Sequence, residues 1–204
     1  MNEIAIRFLL GLMVASFLVV RMINNRRAVK EGGKIEVKEK NYTAIRLMRA
    51  IGGMILVGAL LSFFFWPDLI GWADFSLPDW LRWGGLVLGY LSVVLIWWTE
   101  FSLGKNFSTY LHVREGHTLV VHGPYRWVRH PMYTGLFGLT LAWLLASANW
   151  LVGLPGLLSL MVIIVNRVSR EEAVMIEQFG DEYRTYMKRT GRFFPRLMPT
   201  SSSD

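Results

Sequence analysis

Apolar runs of membrane-crossing length alternate along this chain with short charged segments. A helix needs roughly 20 apolar residues to cross a hydrocarbon core of about 30 Å. The first run is Ile4–Ile23, interrupted by Arg7 and Arg21 near its ends, where long side chains can snorkel to the interfaces. It is read as a retained span and not a cleaved signal, because no A-x-A-like site follows it. The second run, Ala50–Trp66, and the third, Trp83–Thr99, carry no charge. His130–Asn166 is 37 residues without Asp, Glu, Lys or Arg, too long for one crossing and close to enough for two. Ser147-Ala148-Asn149 and Gly153-Leu154-Pro155-Gly156 offer turn chemistry near its middle. The pattern therefore predicts an all-α integral membrane protein with five transmembrane helices, the fourth and fifth forming a tight hairpin.

The connecting segments set an orientation. Residues 24–49 hold eight Lys/Arg, residues 100–129 hold four, and the tail after Asn166 holds seven. Residues 67–80 hold none, and carry Asp68, Asp74 and Asp79. The positive-inside rule puts the three basic segments in the cytoplasm, the N-terminus outside and the C-terminus inside.

Composition agrees with the pattern. Hydrophobic residues make up 53% of the 204, charged residues only 18%, and nine Trp and twelve Phe rule out disorder. The absence of cysteine removes disulfides and thiolate metal sites. A net charge of +7 suits a nucleic-acid binder, but this much apolar surface does not. His112, His117, His122 and His130 are spaced by five, five and eight residues, which matches no compact helical metal pair, so no metal site is expected. No Walker loop, G-x-G-x-x-G or G-x-S-x-G is present.

The residues with chemistry lie after Phe101. One segment runs from Gly104-Lys105-Asn106-Phe107-Ser108 through Glu115-Gly116-His117 to Gly123-Pro124-Tyr125-Arg126-Trp127-Val128-Arg129-His130-Pro131-Met132-Tyr133-Thr134-Gly135. Pro131 suits the first turn of a helix and biases His130 away from the α region, so His130 is held at a helix start by the membrane surface. These residues also suit an interfacial belt, with Tyr125, Trp127 and Tyr133 as anchors and Arg126 and Arg129 as topology charges. A second segment, Arg167-Val168-Ser169-Arg170-Glu171-Glu172, ends the fifth span and leads to Phe179-Gly180-Asp181-Glu182-Tyr183 and Arg192-Phe193-Phe194-Pro195. On a helix Arg167 and Glu171 share a face, which alone is worth a few tenths of a kcal/mol. The hairpin would also bring Arg167, Glu171 and Glu172 to the depth of His130 and Tyr133, and ionisable groups at a bundle mouth are functional candidates.

This ordered set resembles the isoprenylcysteine carboxyl methyltransferase family, within a wider group of membrane methyltransferases that includes phospholipid methyltransferases. The residues that carry the resemblance are Gly123-Pro124-Tyr125, Arg129-His130-Pro131-Met132-Tyr133-Thr134-Gly135, Arg167, Glu171-Glu172 and Phe179-Gly180-Asp181-Glu182-Tyr183. It covers roughly residues 102–197. The resemblance implies a helical membrane enzyme with S-adenosylmethionine in a cytoplasm-facing cavity, covered by the inter-helix connection and a C-terminal helix and tail. Carried over, the cofactor-binding residues are Tyr125, His130, Pro131, Tyr133, Gly135, Glu171 and Glu172, and the catalytic ones Arg167 and Glu172. Eukaryotic members tend to have a longer acidic run where this chain has Ser169-Arg170-Glu171-Glu172, so which glutamate faces the cofactor is open. The chain then divides into residues 1–98, three spans with the cytoplasmic loop 24–49, and residues 99–204, the catalytic region.

The chemistry is consistent with that reading. A glutamate can pair with the cofactor's ammonium or ribose hydroxyls, while His130 and first-turn backbone N–H groups can take its carboxylate. Tyr133 or Tyr125 can sit against adenine or sulfonium. A carboxylate acceptor needs no general base, only a positioned cation, and the planar guanidinium of Arg167 fits that role. The expected acceptor is a lipophilic small molecule or a prenylated cysteine carboxylate reached through the membrane lipids, with no nucleic acid as partner. Alternatives are a phospholipid amine, an isoprenoid or phenolic hydroxyl, a sterol-type NADPH reductase, or a non-catalytic scaffold. Short loops and the lack of cysteine favour a bacterial or archaeal inner membrane over the endoplasmic reticulum.

Overall fold

The computed structural model describes residues 3–32, 43–104 and 118–196. The segment from Lys105 to His117 and residues 33–42 of the 24–49 loop therefore lie outside the described residues, together with the two histidines His112 and His117. Six α-helices are present among the described residues: α1 (Glu3–Gly32), α2 (Thr43–Phe65), the single turn α3 (Pro67–Ile70), α4 (Asp79–Leu103), α5 (Pro131–Ser147) and α6 (Trp150–Arg189). Short 3-10 turns occupy Gly71–Ala73 and Gly123–Arg126. The described residues form an all-helical fold. By length and composition α1, α4 and α6 are long and apolar enough to cross a membrane, whereas the apolar parts of α2 (Ala50–Phe65) and α5 are shorter.

The hairpin forms where Ser147-Ala148-Asn149 predicts it. Ala148 takes a left-handed conformation at φ 49°, and Asn149 caps α6 by accepting from the backbone N–H groups of Leu151 (3.0 Å) and Val152 (3.2 Å). The Asn149 amide also donates to the carbonyl of Ile70 (3.0 Å) and to Asp74 Oδ1 (2.7 Å), so one fully buried side chain ties the hairpin to the α2–α4 connection. Gly153-Leu154-Pro155-Gly156 is not part of the turn. It lies inside α6, where a Cβ on Gly153 would collide with Leu144 of α5 and one on Gly156 would come 2.9 Å from Thr140 Cγ2. These glycines serve close approach of the two arms.

The same device joins α4 to α5. A Cβ on Gly85 would lie 2.7 Å from Leu145 Cβ, one on Gly135 2.7 Å from Ile96 Cγ1, and one on Gly138 against the Ser92 hydroxyl. In lipid, where neighbouring chains are as apolar as leucine, such close backbone contact is a main source of helix association.

Helix α1 lies along α4 and runs in the same direction. Glu3 pairs with Arg82 at one end, and Arg21 pairs with Glu100 at the other. Asn24 adds an amide donor to Glu100 Oε2 at 2.5 Å, and Tyr90 donates to the Leu9 carbonyl between the two pairs. Arg21 is thus turned toward a buried carboxylate and does not simply snorkel; the guanidinium of Arg7 stacks over Phe63, 5.1 Å from the ring centroid. A core of Ile6, Leu10, Met13, Leu86, Ile96 and Trp143 fills the space between α1, α4 and α5.

Substitution at the hairpin seam tests this packing. Gly153→Ala should destabilise the detergent-solubilised protein by about 1–3 kcal/mol, because the obstructing atoms include backbone. Gly58→Ala, with nothing within 4 Å of the new Cβ, should not. Thermal melts of the two variants check the contrast.

Candidate active site

The site is built at the end of the hairpin opposite the turn. Pro131 starts α5 at its first position, and His130 precedes it at φ −125° and ψ 56°. The chain before His130 is held by the tail that follows α6. Gly191 donates its N–H to Trp127 O (3.1 Å), Arg129 donates to Gly191 O (2.9 Å), and His130 donates to Arg192 O (3.0 Å). The Thr134 hydroxyl donates to Phe193 O (2.7 Å). Residues 190–193 therefore form a strap across the start of α5. The tail reaches it because α6 breaks at Gly180, whose φ of +53° lies in the left-handed region that glycine alone adopts without strain. The final stretch, 181–189, then leaves in a new direction, and Tyr186 fastens it by donating to the carbonyl of Tyr125 at 2.7 Å.

Both glutamates reach His130. Its Nε2 lies 3.3 Å from Glu172 Oε1, and its Nδ1 lies 3.5 Å from Glu171 Oε2. Glu171 also accepts from Tyr133 Oη (3.0 Å) and from Arg167 Nε (2.6 Å), the predicted i, i+4 pair. Glu172 is buried and receives Arg129 Nε at 2.9 Å, with Arg192 Nε at 3.2 Å and Arg192 Nη2 on its second oxygen. The side chains of Glu171 and Arg167 are 22% and 24% exposed, against 5% for Glu172, so the first pair opens outward and the second carboxylate is enclosed.

Of the predicted residues, the structure brings together His130, Tyr133, Arg167, Glu171 and Glu172, with buried Pro131 setting the helix start. Tyr125 stands in the strap's foundation, within electrostatic range of Glu171. Gly135 is on the α5 face turned to α4, where its missing Cβ admits Ile96. The backbone N–H of His130 is taken by Arg192 O. Two participants are not among the expected site residues, Arg129 and Arg192. Arg129 sits in the Arg-His-Pro run but reads as a topology charge, and nothing in the spacing announces that Arg192 folds back over Glu172.

Electrostatics follow from the pairing. Burial opposes charge on His130, but Glu171 and Glu172 outweigh it and raise its pKa above the ordinary 6.5. Burial likewise opposes charge on the two carboxyls of this charged end of α6. For both it is outweighed by His130, with Arg167 and Tyr133 helping for Glu171 and Arg192 and Arg129 for Glu172; both stay below the ordinary 4.5. Burial pushes the Tyr183 and Tyr186 hydroxyls upward, the latter to about 12.

Residues 85–177 match the model of the isoprenylcysteine carboxyl methyltransferase family. The chain is 31% identical to the rat protein-S-isoprenylcysteine O-methyltransferase over 142 residues, 68% of this chain and 50% of the relative. Over this segment the chain is similar to the isoprenylcysteine carboxyl methyltransferase family. The human protein-S-isoprenylcysteine O-methyltransferase matches over the same length, also at 31% identity, 68% of this chain and 50% of the relative. The solved structure of the eukaryotic intramembrane Ras methyltransferase of this family superposes with a TM-score of 0.59 at 22% identity, covering 90% of this chain and 66% of that one. That likeness establishes a shared membrane fold. The chain spans about half the length of the curated relatives it matches. Arg192 and Phe193, which pack against the His130 cluster from the strap, lie outside the family segment, whereas Arg129, Tyr133, Arg167, Glu171 and Glu172 lie inside it.

The cluster has a defined pH window. The His130 contribution is complete below pH 6.5 and is lost as pH rises through its higher folded value. The carboxylate contributions are complete above pH 4.5 and are lost as pH falls through their lower folded values. The melting temperature should therefore decline from its plateau as pH rises past neutrality, and His130→Gln should flatten that alkaline limb. A melt series from pH 5 to 9 on both proteins measures this.

Proposed function

We propose that this chain is an integral membrane methyltransferase that uses S-adenosylmethionine to methylate a lipophilic acceptor, with a carboxylate of the isoprenylcysteine type favoured. The observation that carries the reading is the meeting of His130, Tyr133, Arg167 and the Glu171–Glu172 pair, two stretches of one family segment, at one end of the α5–α6 hairpin. These residues fit the donor. A partly exposed carboxylate suits its ammonium, and Tyr133 beside His130, ring centroids 5.8 Å apart, gives an aromatic wall for adenine or sulfonium. The bound donor would supply an electrophilic methyl group.

The residues of this chain then have an ordering task. Methyl transfer is an in-line displacement, so alignment of acceptor oxygen and methyl carbon supplies much of the rate. A carboxylate acceptor is already ionised near neutral pH and needs no base. Arg167, at the open side of the cluster, presents a planar cation for it, and the Arg167–Glu171 contact fixes the plane of that guanidinium. The strap and the stretch 181–189 would cover the donor and exclude water.

The placement in the membrane belongs to the same proposal. We read α2 and α5 as the second and fourth of five spans, with the site on the cytoplasmic side of a bacterial or archaeal inner membrane. The residues 67–80 then face outside.

Three measurements test the proposal. Calorimetric titration of the detergent-purified protein with S-adenosylhomocysteine should give saturable binding, and NADPH should give none; the reverse would sink the reading. Arg167→Lys should lower turnover more than donor affinity, because lysine keeps the charge and loses the fork; an equal loss in both would move Arg167 into the donor's own contacts. A cysteine placed at exposed Ser76 should react with an impermeant reagent from outside only, and labelling from the cytoplasm would invert the topology.

A further inference from the structure

Two carboxylates stand side by side in this cluster, and their surroundings differ. Glu172 is enclosed. Its Oε1 faces Arg129 Nε at 2.9 Å, Arg192 Nε at 3.2 Å and His130 Nε2 at 3.3 Å, and its Oε2 is occupied by Arg192 Nη2. Two guanidinium groups and an imidazole thus occupy both oxygens. Glu171 is more open, and its partners are Arg167, Tyr133 and His130 Nδ1. The two arginines on Glu172 are themselves fixed. Arg129 Nη1 donates to the carbonyls of Thr190 and Met187, at 2.5 and 3.1 Å, and Arg192 rides on the strap whose backbone is paired with residues 127–130.

We infer that Arg192 is a positioning residue that, with Arg129, clamps Glu172 and so leaves Glu171 as the carboxylate that receives the ammonium or ribose hydroxyls of the methyl donor. This rests on reading the site as an S-adenosylmethionine pocket, and it decides between the two glutamates. An incoming cation at Glu172 would have to displace a guanidinium fork from an enclosed carboxylate. At Glu171 it meets a partly exposed oxygen pair. Glu172 then acts through His130, whose ring it holds from the Nε2 side while Glu171 holds the Nδ1 side. Arg192 lies beyond residue 177, outside the family segment, so the clamp is completed by this chain's own tail.

A double-mutant cycle separates a clamp from a direct contact. Affinity for S-adenosylhomocysteine is measured by calorimetry on the full chain in detergent for Glu171→Gln, Glu172→Gln, Arg192→Gln and the double variant Glu172→Gln/Arg192→Gln. Glu171→Gln should lose about tenfold or more, the scale of a charged hydrogen bond. Arg192→Gln and Glu172→Gln should each lose affinity, and the double variant should be no worse than the weaker single. Additive losses, or a loss in Glu172→Gln with none in Arg192→Gln, would overturn the assignment by placing Glu172 against the ligand.

A second readout needs no ligand. The imidazole of His130 is followed by nitrogen NMR of histidine-labelled protein, with His130→Gln identifying its signal. The charges facing His130 are Glu171 and Glu172 from α6, Arg192 from the strap and the neighbouring Arg129, with Arg167 behind Glu171. Removing the Arg192 cation leaves Glu172 less neutralised, so Arg192→Gln should move the His130 titration to higher pH, and Arg192→Lys should largely restore it. An unmoved titration would overturn the clamp even where affinity falls. If the unmutated protein fails to bind S-adenosylhomocysteine, the methyltransferase reading and the Glu171 assignment fall together, while the titration still decides the clamp itself.

Discussion

Helices in a bilayer cannot be driven together by escape from water, and this fold answers with small residues placed where backbones meet. Gly85, Gly135 and Gly138 let α4 and α5 touch, and Gly153 and Gly156 do the same for α5 and α6. Everything at the other end of the hairpin inherits its position from that seam. A seam wider by a methyl group would draw His130 away from both glutamates, which lie 3.5 and 3.3 Å from its two ring nitrogens. The fully buried Asn149, bonded at the turn to both the start of α6 and the α2–α4 connection, fixes the opposite end.

The second organising constraint is the cost of enclosing charge. A carboxylate as buried as Glu172 is tolerable only when its oxygens are filled, and two arginines and a histidine fill them. Those partners come from the start of α5 and from the strap, so satisfying one side chain draws three parts of the chain together. The parallel pairing of residues 127–130 with 191–192 is the backbone expression of that demand. The family similarity and the shared membrane fold give this arrangement its setting, while Arg192 belongs to the part outside the matched segment.

Much of this was legible before any coordinates. The hairpin and its turn follow from a long uncharged run with Asn149 at its middle, and the start of α5 follows from Pro131, because proline and a helix cap act locally. The Arg167–Glu171 pair follows from helical spacing alone. Where sequence reading went astray, the missing information was non-local. Glycine and proline at 153–156 carry the same signal whether they turn the chain or admit a neighbouring helix, and only the presence of Leu144 decides. Arg21 looks like a snorkelling residue until α4 supplies Glu100, and the close approach of Ile96 to Gly135 has no signal of its own in the sequence. Arg192 could not be placed without knowing that Gly180 redirects the tail.

The two ion pairs between α1 and α4 carry a mechanical consequence. Eighteen residues separate Glu3 from Arg21, and eighteen separate Arg82 from Glu100. That is five full helical turns, about 27 Å of rise, so both pairs fall on one face of each helix, separated by about the thickness of a hydrocarbon layer. The polarity is reversed from one end to the other, acid on α1 first and base on α1 second, so sliding either helix by a turn would leave charges facing lipid instead of each other. The pair of helices works as a ruler of fixed length. A bilayer thicker or thinner than this span has to deform around the protein, because α1 and α4 cannot shear to follow it.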